Sequence, residues 1–201
     1  ILLKPFSFAT ISEKFKDLIK TQNHQSKADE LYQQAKAAVY SKLTDMASEI
    51  ADQLLKLSAE NEKYLILKGD LLFKQQFYQQ ALEYFKKAAE IDSKSAAAIS
   101  KIAATLVKLE QFDEAKQFLQ KVEELNNYHL EVIANSSISD FRTGDYARAR
   151  AGLEKLGTLD RDNQTVREVL PEVYIKQKDF DALSSRLSET MSEKELIEYL
   201  N

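Results

Sequence analysis

The chain has 201 residues, 44% of them hydrophobic and 30% charged, with a formal net charge of −4. That balance leaves no basic face of the kind nucleic acid requires, and no apolar run approaches the ~20 residues of a membrane-spanning helix. The absence of cysteine excludes disulfides and thiolate metal sites and agrees with a cytoplasmic location, while four glycines and two prolines suit an almost wholly helical chain with short connections.

The chain starts at Ile1 rather than Met, as expected of a fragment or a processed product. Ile1 to Leu3 is a short apolar run of the kind found in a buried strand, and ILLKPFSF lacks the charged lead and the length of a signal peptide. Ser7 is placed to cap a helix whose apolar stripe is Phe8, Ile11, Phe15, Leu18 and Ile19. Strand, Lys-Pro, Phe, Ser and amphipathic helix together resemble the last βα unit of a response-regulator receiver domain, over residues 1–20. The resemblance implies that Lys4 is the switch lysine that contacts a phosphorylated aspartate, with Pro5 following in a cis bond. The aspartate and acidic metal-binding cluster of such domains lie upstream of this unit, so this piece by itself is not phosphorylated. An ordinary extended lead-in and helix is the alternative. A helix without its native sheet is expected to dock near Leu31 or to pair with another copy, giving a homodimer through residues 1–20. Residues 21–27 are polar and without periodicity, and read as a linker.

From residue 28 the sequence is periodic. Gly69 to Ala89, GDLLFKQQFYQQALEYFKKAA, reads as two amphipathic helices joined by a tight turn around Gln75–Phe77. Stepping by thirty-four residues from Ala81 reaches Ala115 and Ala149 forward, then Leu183, and Ala47 backward. Small residues where two helices cross, an aromatic between them and this period resemble the tetratricopeptide repeat. The resemblance implies an all-α, right-handed solenoid of about five helix-turn-helix units, placed at 28–61, 62–95, 96–129, 130–163 and 164–197. The eighth place of each unit is small or special: Ala35, Gly69, Ala103, Ser137, Pro171. The seventeenth carries Tyr78, Phe112, Tyr146 and Phe180, aromatics expected to wedge between helices. Two departures carry expectations: Pro171 kinks its helix, and Asp140, standing where Leu72 and Leu106 stand in earlier units, loosens the register. Ser192 and Glu195 form a capping box that opens a closing helix over 192–201.

Chemistry is sparse. His24 and His129 have no partner at metal-ligand spacing, no serine has a histidine to pair with, and four scattered glycines make no phosphate loop. No catalytic, cofactor or metal residue is expected, and the chain reads as a non-enzyme. What remains is surface. The twelfth place of the first helices holds Val39, Phe73, Val107, Phe141 and Ile175, which with Ile66 and Ile138 would make an apolar floor on the concave face. These side chains alternatively pack between units. Beside the floor, Lys74, Lys108 and Arg142 form a basic rail, or else a solvated helix flank. The peptide clamp best known in tetratricopeptide proteins uses lysines and asparagines, but the ninth places here hold no asparagine. An amphipathic peptide or helix with an acidic flank suits the groove better. The expected function is a protein–protein interaction scaffold, the output module of a bacterial two-component response regulator. The alternative is a free-standing tetratricopeptide adaptor in envelope or pilus assembly.

Overall fold

The structure is a computed structural model that describes residues 25–125 and 129–190. Among these, every regular element is a helix. Helix α1 runs over 25–40, followed by α2 (Thr44–Leu57), α3 (Glu62–Lys74), α4 (Tyr78–Ile91) and α5 (Ala96–Lys108). Then come α6 (Phe112–Glu124), α7 (Leu130–Arg142), α8 (Tyr146–Leu159), α9 (Gln164–Gln177) and α10 (Phe180–Thr190). The receiver-like segment 1–20 with Lys4 and Pro5, its expected homodimer contact and the closing segment 192–201 lie outside the described residues. Of the expected linker, residues 25–27 already belong to α1.

The helices form five pairs, each packed on the next. First helices start at Glu62, Ala96, Leu130 and Gln164, and second helices at Thr44, Tyr78, Phe112, Tyr146 and Phe180, both series spaced by 34 residues. The register therefore does not slip at Asp140: α7 has the same 13 residues as α3 and α5. Helix α9 runs through Pro171 to Gln177.

Local chemistry sets both ends of the first helices. Three of their starts are capped by side chains: Asn61 accepts from the Lys63 amide, Ser95 from Ala98 and Asn163 from Thr165, whereas His129 at the start of α7 makes no such bond. Their ends share one device. Lys42, Gln76, Glu110, Gly144 and Lys178 all have a positive φ, between 57° and 87°. At each turn the left-handed residue donates its amide three residues back, as Gln76 does to Phe73, and the next residue donates five back, as Phe77 does to Leu72. This is the Schellman arrangement, which satisfies carbonyls the helix end would leave without partners.

The core follows the columns. The eighth place is buried in all five pairs, at Ala35, Gly69, Ala103, Ser137 and Pro171. On the second helices Ala47, Ala81, Ala115 and Ala149 have no exposed surface and Leu183 is buried, while Phe85 lies against Gly69 and Gly152 against Ser137. The aromatics at the seventeenth place do not wedge fully inside: Tyr78, Phe112 and Tyr146 are half-buried and Phe180 is exposed. Each opens a second helix at the rim of its pair, and the last pair has no further pair behind it among the described residues. Apolar contact passes from pair to pair in successive clusters, as a stack stabilised by neighbours requires.

A candidate protein-interaction surface

The expected apolar floor is largely absorbed by packing. Val107 is 8% exposed and Phe141 9%, both within the core, while Ile66, Phe73 and Ile138 are half-buried against it. The cause lies in the turn. The twelfth place supplies the carbonyl that accepts from the left-handed residue, so its side chain sits beside the aromatic opening the second helix. The Phe73 and Tyr78 ring centroids lie 5.2 Å apart, edge to face, and those of Phe141 and Tyr146 lie 5.8 Å apart. Only Ile175, in the last pair, stays exposed at this place. The floor is thus a shallow strip of half-covered side chains.

The basic rail is open to solvent. Lys74, Lys108 and Arg142 are exposed, Lys176 continues the series, and Tyr40 takes the same place in the first pair with 92% of its surface exposed. Each cation lies in the last turn of its helix, where the negative end of the helix dipole favours it. Among the described residues no carboxylate comes within ion-pair distance of Lys74, Lys108 or Lys176. Arg142 lies over two rings, 6.0 Å from the Phe112 centroid and 5.9 Å from that of Phe141.

A second feature lies at the opposite end of the first-helix face. Asp29 and Tyr32 of α1, Glu60 of the α2–α3 connection, and Glu62, Lys63 and Tyr64 of α3 line an open cavity of about 970 Å³. The two tyrosine rings are 5.8 Å apart and tilted by 41°, and Lys36 Nζ lies 5.6 Å from the centre of the Tyr32 ring. Burial raises the pKa of Tyr32, with Asp70 and Tyr64 adding to it; burial and then Asp29 raise that of Tyr64. The sequence reading missed this cavity by attending to the twelfth and thirteenth places. Tyr32 occupies the fifth place, which also faces the groove, and its pairing with Tyr64 becomes visible only once α1 and α3 are side by side.

Polar contacts lock consecutive pairs together. Lys68 Nζ bridges to Asp52 at 2.7 Å and donates to Ser48, and Lys101 bridges to Asp70 at 2.8 Å. Arg150 joins α8 to the last turn, donating to Glu154 at 2.8 Å and to Asp179 at 2.7 Å, with Tyr174 donating to Glu154 at 3.2 Å. Those two carboxylates hold the Arg150 pKa above its ordinary value, Glu154 first. Among the described residues no cluster of three histidine or acidic side chains is arranged to hold a metal, and His129 is an exposed helix-start residue.

The chain is similar to MamA (residues 41 to the end) from Desulfovibrio magneticus RS-1, with a TM-score of 0.72 at 15% identity, covering 81% of this chain and 92% of that one. It is similar to Pseudomonas aeruginosa PilF, with a TM-score of 0.69 at 17% identity, covering 81% and 74% of the two chains. A thermophilic TPR protein of Thermus thermophilus gives 0.62 at 16% identity, covering 84% and 94%. The fold is a right-handed tetratricopeptide-type solenoid. At these identities the likeness is one of fold. A family model described as anaphase-promoting complex, cyclosome, subunit 3, matches residues 41–122, from the α1–α2 turn into α6. No curated protein is significantly similar in sequence.

Proposed function

We propose that the chain is a non-catalytic protein-interaction scaffold, a free-standing tetratricopeptide-type adaptor. The observation that carries this is recurrence. Exposed Lys74, Lys108, Arg142 and Lys176 stand at one place on four successive first helices, with no carboxylate within ion-pair distance of the three lysines among the described residues. A surface repeated by the solenoid itself suits an extended or helical partner laid across several units. Such contacts would chiefly steer association and weaken with salt. The response-regulator setting rests on the resemblance of residues 1–20 alone.

The test is site-specific crosslinking in the source cell. A photoreactive residue in place of Lys108 should yield a discrete protein adduct. The same residue in place of Gln117, exposed on second helix α6, should not. Equal adducts from both, or none from Lys108, would sink the proposal.

A further inference from the structure

The cavity between α1 and the start of α3 is rich in hydrogen-bond acceptors. Among the described residues, Asp29, Glu60 and Glu62 carry its negative charge against one lining cation, Lys63. The Glu62 carboxylate is held at the rim because it accepts from the hydroxyl of Ser95, the residue that caps α5. Tyr64 is only 6% exposed, yet its hydroxyl has no hydrogen-bond partner among the described residues. That oxygen is not sealed from solvent, so it opens onto the cavity as a free acceptor. The carboxylates of Asp29 and Asp70 act on the two tyrosines, and one ammonium, that of Lys36, already lies over Tyr32. The cavity therefore combines aromatic faces, free phenol oxygens and carboxylates, the combination that takes up an alkylammonium or a guanidinium.

We infer that this cavity receives a lysine or arginine side chain from a basic segment of a partner protein. The inference rests on the scaffold reading and deepens it. The N–H groups of the cation donate to the Tyr64 hydroxyl and to the Asp29 and Glu60 carboxylates, while its alkyl stem lies along the rings. The two charged features then lie on opposite edges of the first-helix face: the acidic, aromatic cavity at the start of α3, and the basic rail at the helix ends from Lys74 of the same helix to Lys176 of α9.

The probe is an acetylated tetra-arginine peptide titrated into the full chain near physiological ionic strength, with tetraglutamate as the control, reading the ring signals of Tyr32 and Tyr64 by NMR. Tetra-arginine is expected to shift both signals saturably, and tetraglutamate is not. Asp29→Asn combined with Tyr32→Leu alters exposed or half-buried positions and should weaken binding about tenfold, while Tyr32→Phe keeps the ring and loses less. An unsaturable shift, equal binding of tetraglutamate, or undiminished binding to the double variant would overturn the inference. If replacing Lys14, Lys16 and Lys20 by Gln moves the same signals without peptide, the occupant is the chain's own amino-terminal segment, and the partner assignment fails. Absence of any response while the Lys108 adduct still forms would remove the cavity from the account and leave the scaffold reading standing.

Discussion

A Cβ atom built on Gly69 would press against the ring of Phe85, within 2.9 Å of three of its ring carbons. Phe85 has no exposed surface and lies among Leu72, Ala81, Leu82 and Ile102, so the ring has no free space to move into. Gly69→Ala should gain about 1 kcal/mol in helix propensity and lose more to overpacking, for a net destabilisation of ~1–2 kcal/mol by urea titration. Phe85→Leu removes the ring, so the two changes together should cost less than the sum of the separate effects. Simple additivity would mean that α3 and α4 do not cross at this pair.

The five first-helix turns offer an internal comparison. All five use a left-handed residue, but only Gly144 is a glycine, and a Cβ there would meet nothing within 4 Å. The left-handed conformation costs a non-glycine residue roughly 1–2 kcal/mol, part of which glycine gives back in chain entropy. Glu110→Gly and Gln76→Gly should therefore each stabilise by about 0.5–1 kcal/mol, and Gly144→Ala should destabilise by about 1 kcal/mol. Thermal melts of the three variants decide the matter through the sign of each shift.

Those turns also show what the sequence could reveal. Positions such as Ala81, Ala115 and Ala149 recur because a close helix crossing admits only small residues, so the period and pair boundaries were readable from residue type. The left-handed place holds Lys42, Gln76, Glu110, Gly144 and Lys178, and the four that are not glycine give no hint of positive φ. The rail was readable for the same reason as the crossings, since Lys74, Lys108 and Arg142 recur. The floor was misjudged because the twelfth place lies on the groove side of an ideal helix, and only the returning turn brings Tyr78 and Tyr146 against it. The cavity at Tyr32 and Tyr64 depends on a single pair of helices, so no periodicity announces it.

Burial separates the two phenylalanines of the floor. Phe141 is a core residue and Phe73 is half-covered. Phe141→Ala should cost ~3–5 kcal/mol, the range for a buried ring, and Phe73→Ala roughly half as much. Chemical denaturation of the single variants measures both. Equal small losses would return Phe141 to an open groove.

The last turn should weaken in acid. Asp179 accepts from the Ala182 amide and from Arg150, and these two contacts, in that order of size, hold its pKa below the usual carboxylate value. A depressed pKa contributes stability that is present above the unfolded-state value and is lost as pH falls through the folded one. Asp179→Asn keeps a cap acceptor but removes the charge. It should lower Tm at neutral pH and converge with the parent once pH falls below the usual carboxylate range. A Tm difference that persists in strong acid would exclude the charge as its source.

Asp140 is the sharpest departure from the repeat, and it predicts an asymmetry. Its side chain is buried, with Oδ1 2.7 Å from Lys116 Nζ and Oδ2 3.7 Å from Arg148 Nε. Oδ1 has no hydrogen bond of acceptable geometry among the described residues, so charge attraction alone holds that contact. Leu72 and Leu106 fill the same place in earlier pairs and are buried there. Asp140→Leu should therefore be neutral or stabilising, because Lys116 is partly exposed, can reach water and keeps the Thr143 hydroxyl as a partner. Lys116→Met has the opposite effect. It leaves the Asp140 carboxylate buried with only the distant Arg148, which should cost about 3 kcal/mol. Combining the two substitutions should recover most of that loss, so urea titration of the complete cycle tests the pair directly. If Lys116→Met is harmless, Asp140 is already reached by water, and this contact does not fasten α6 to α7.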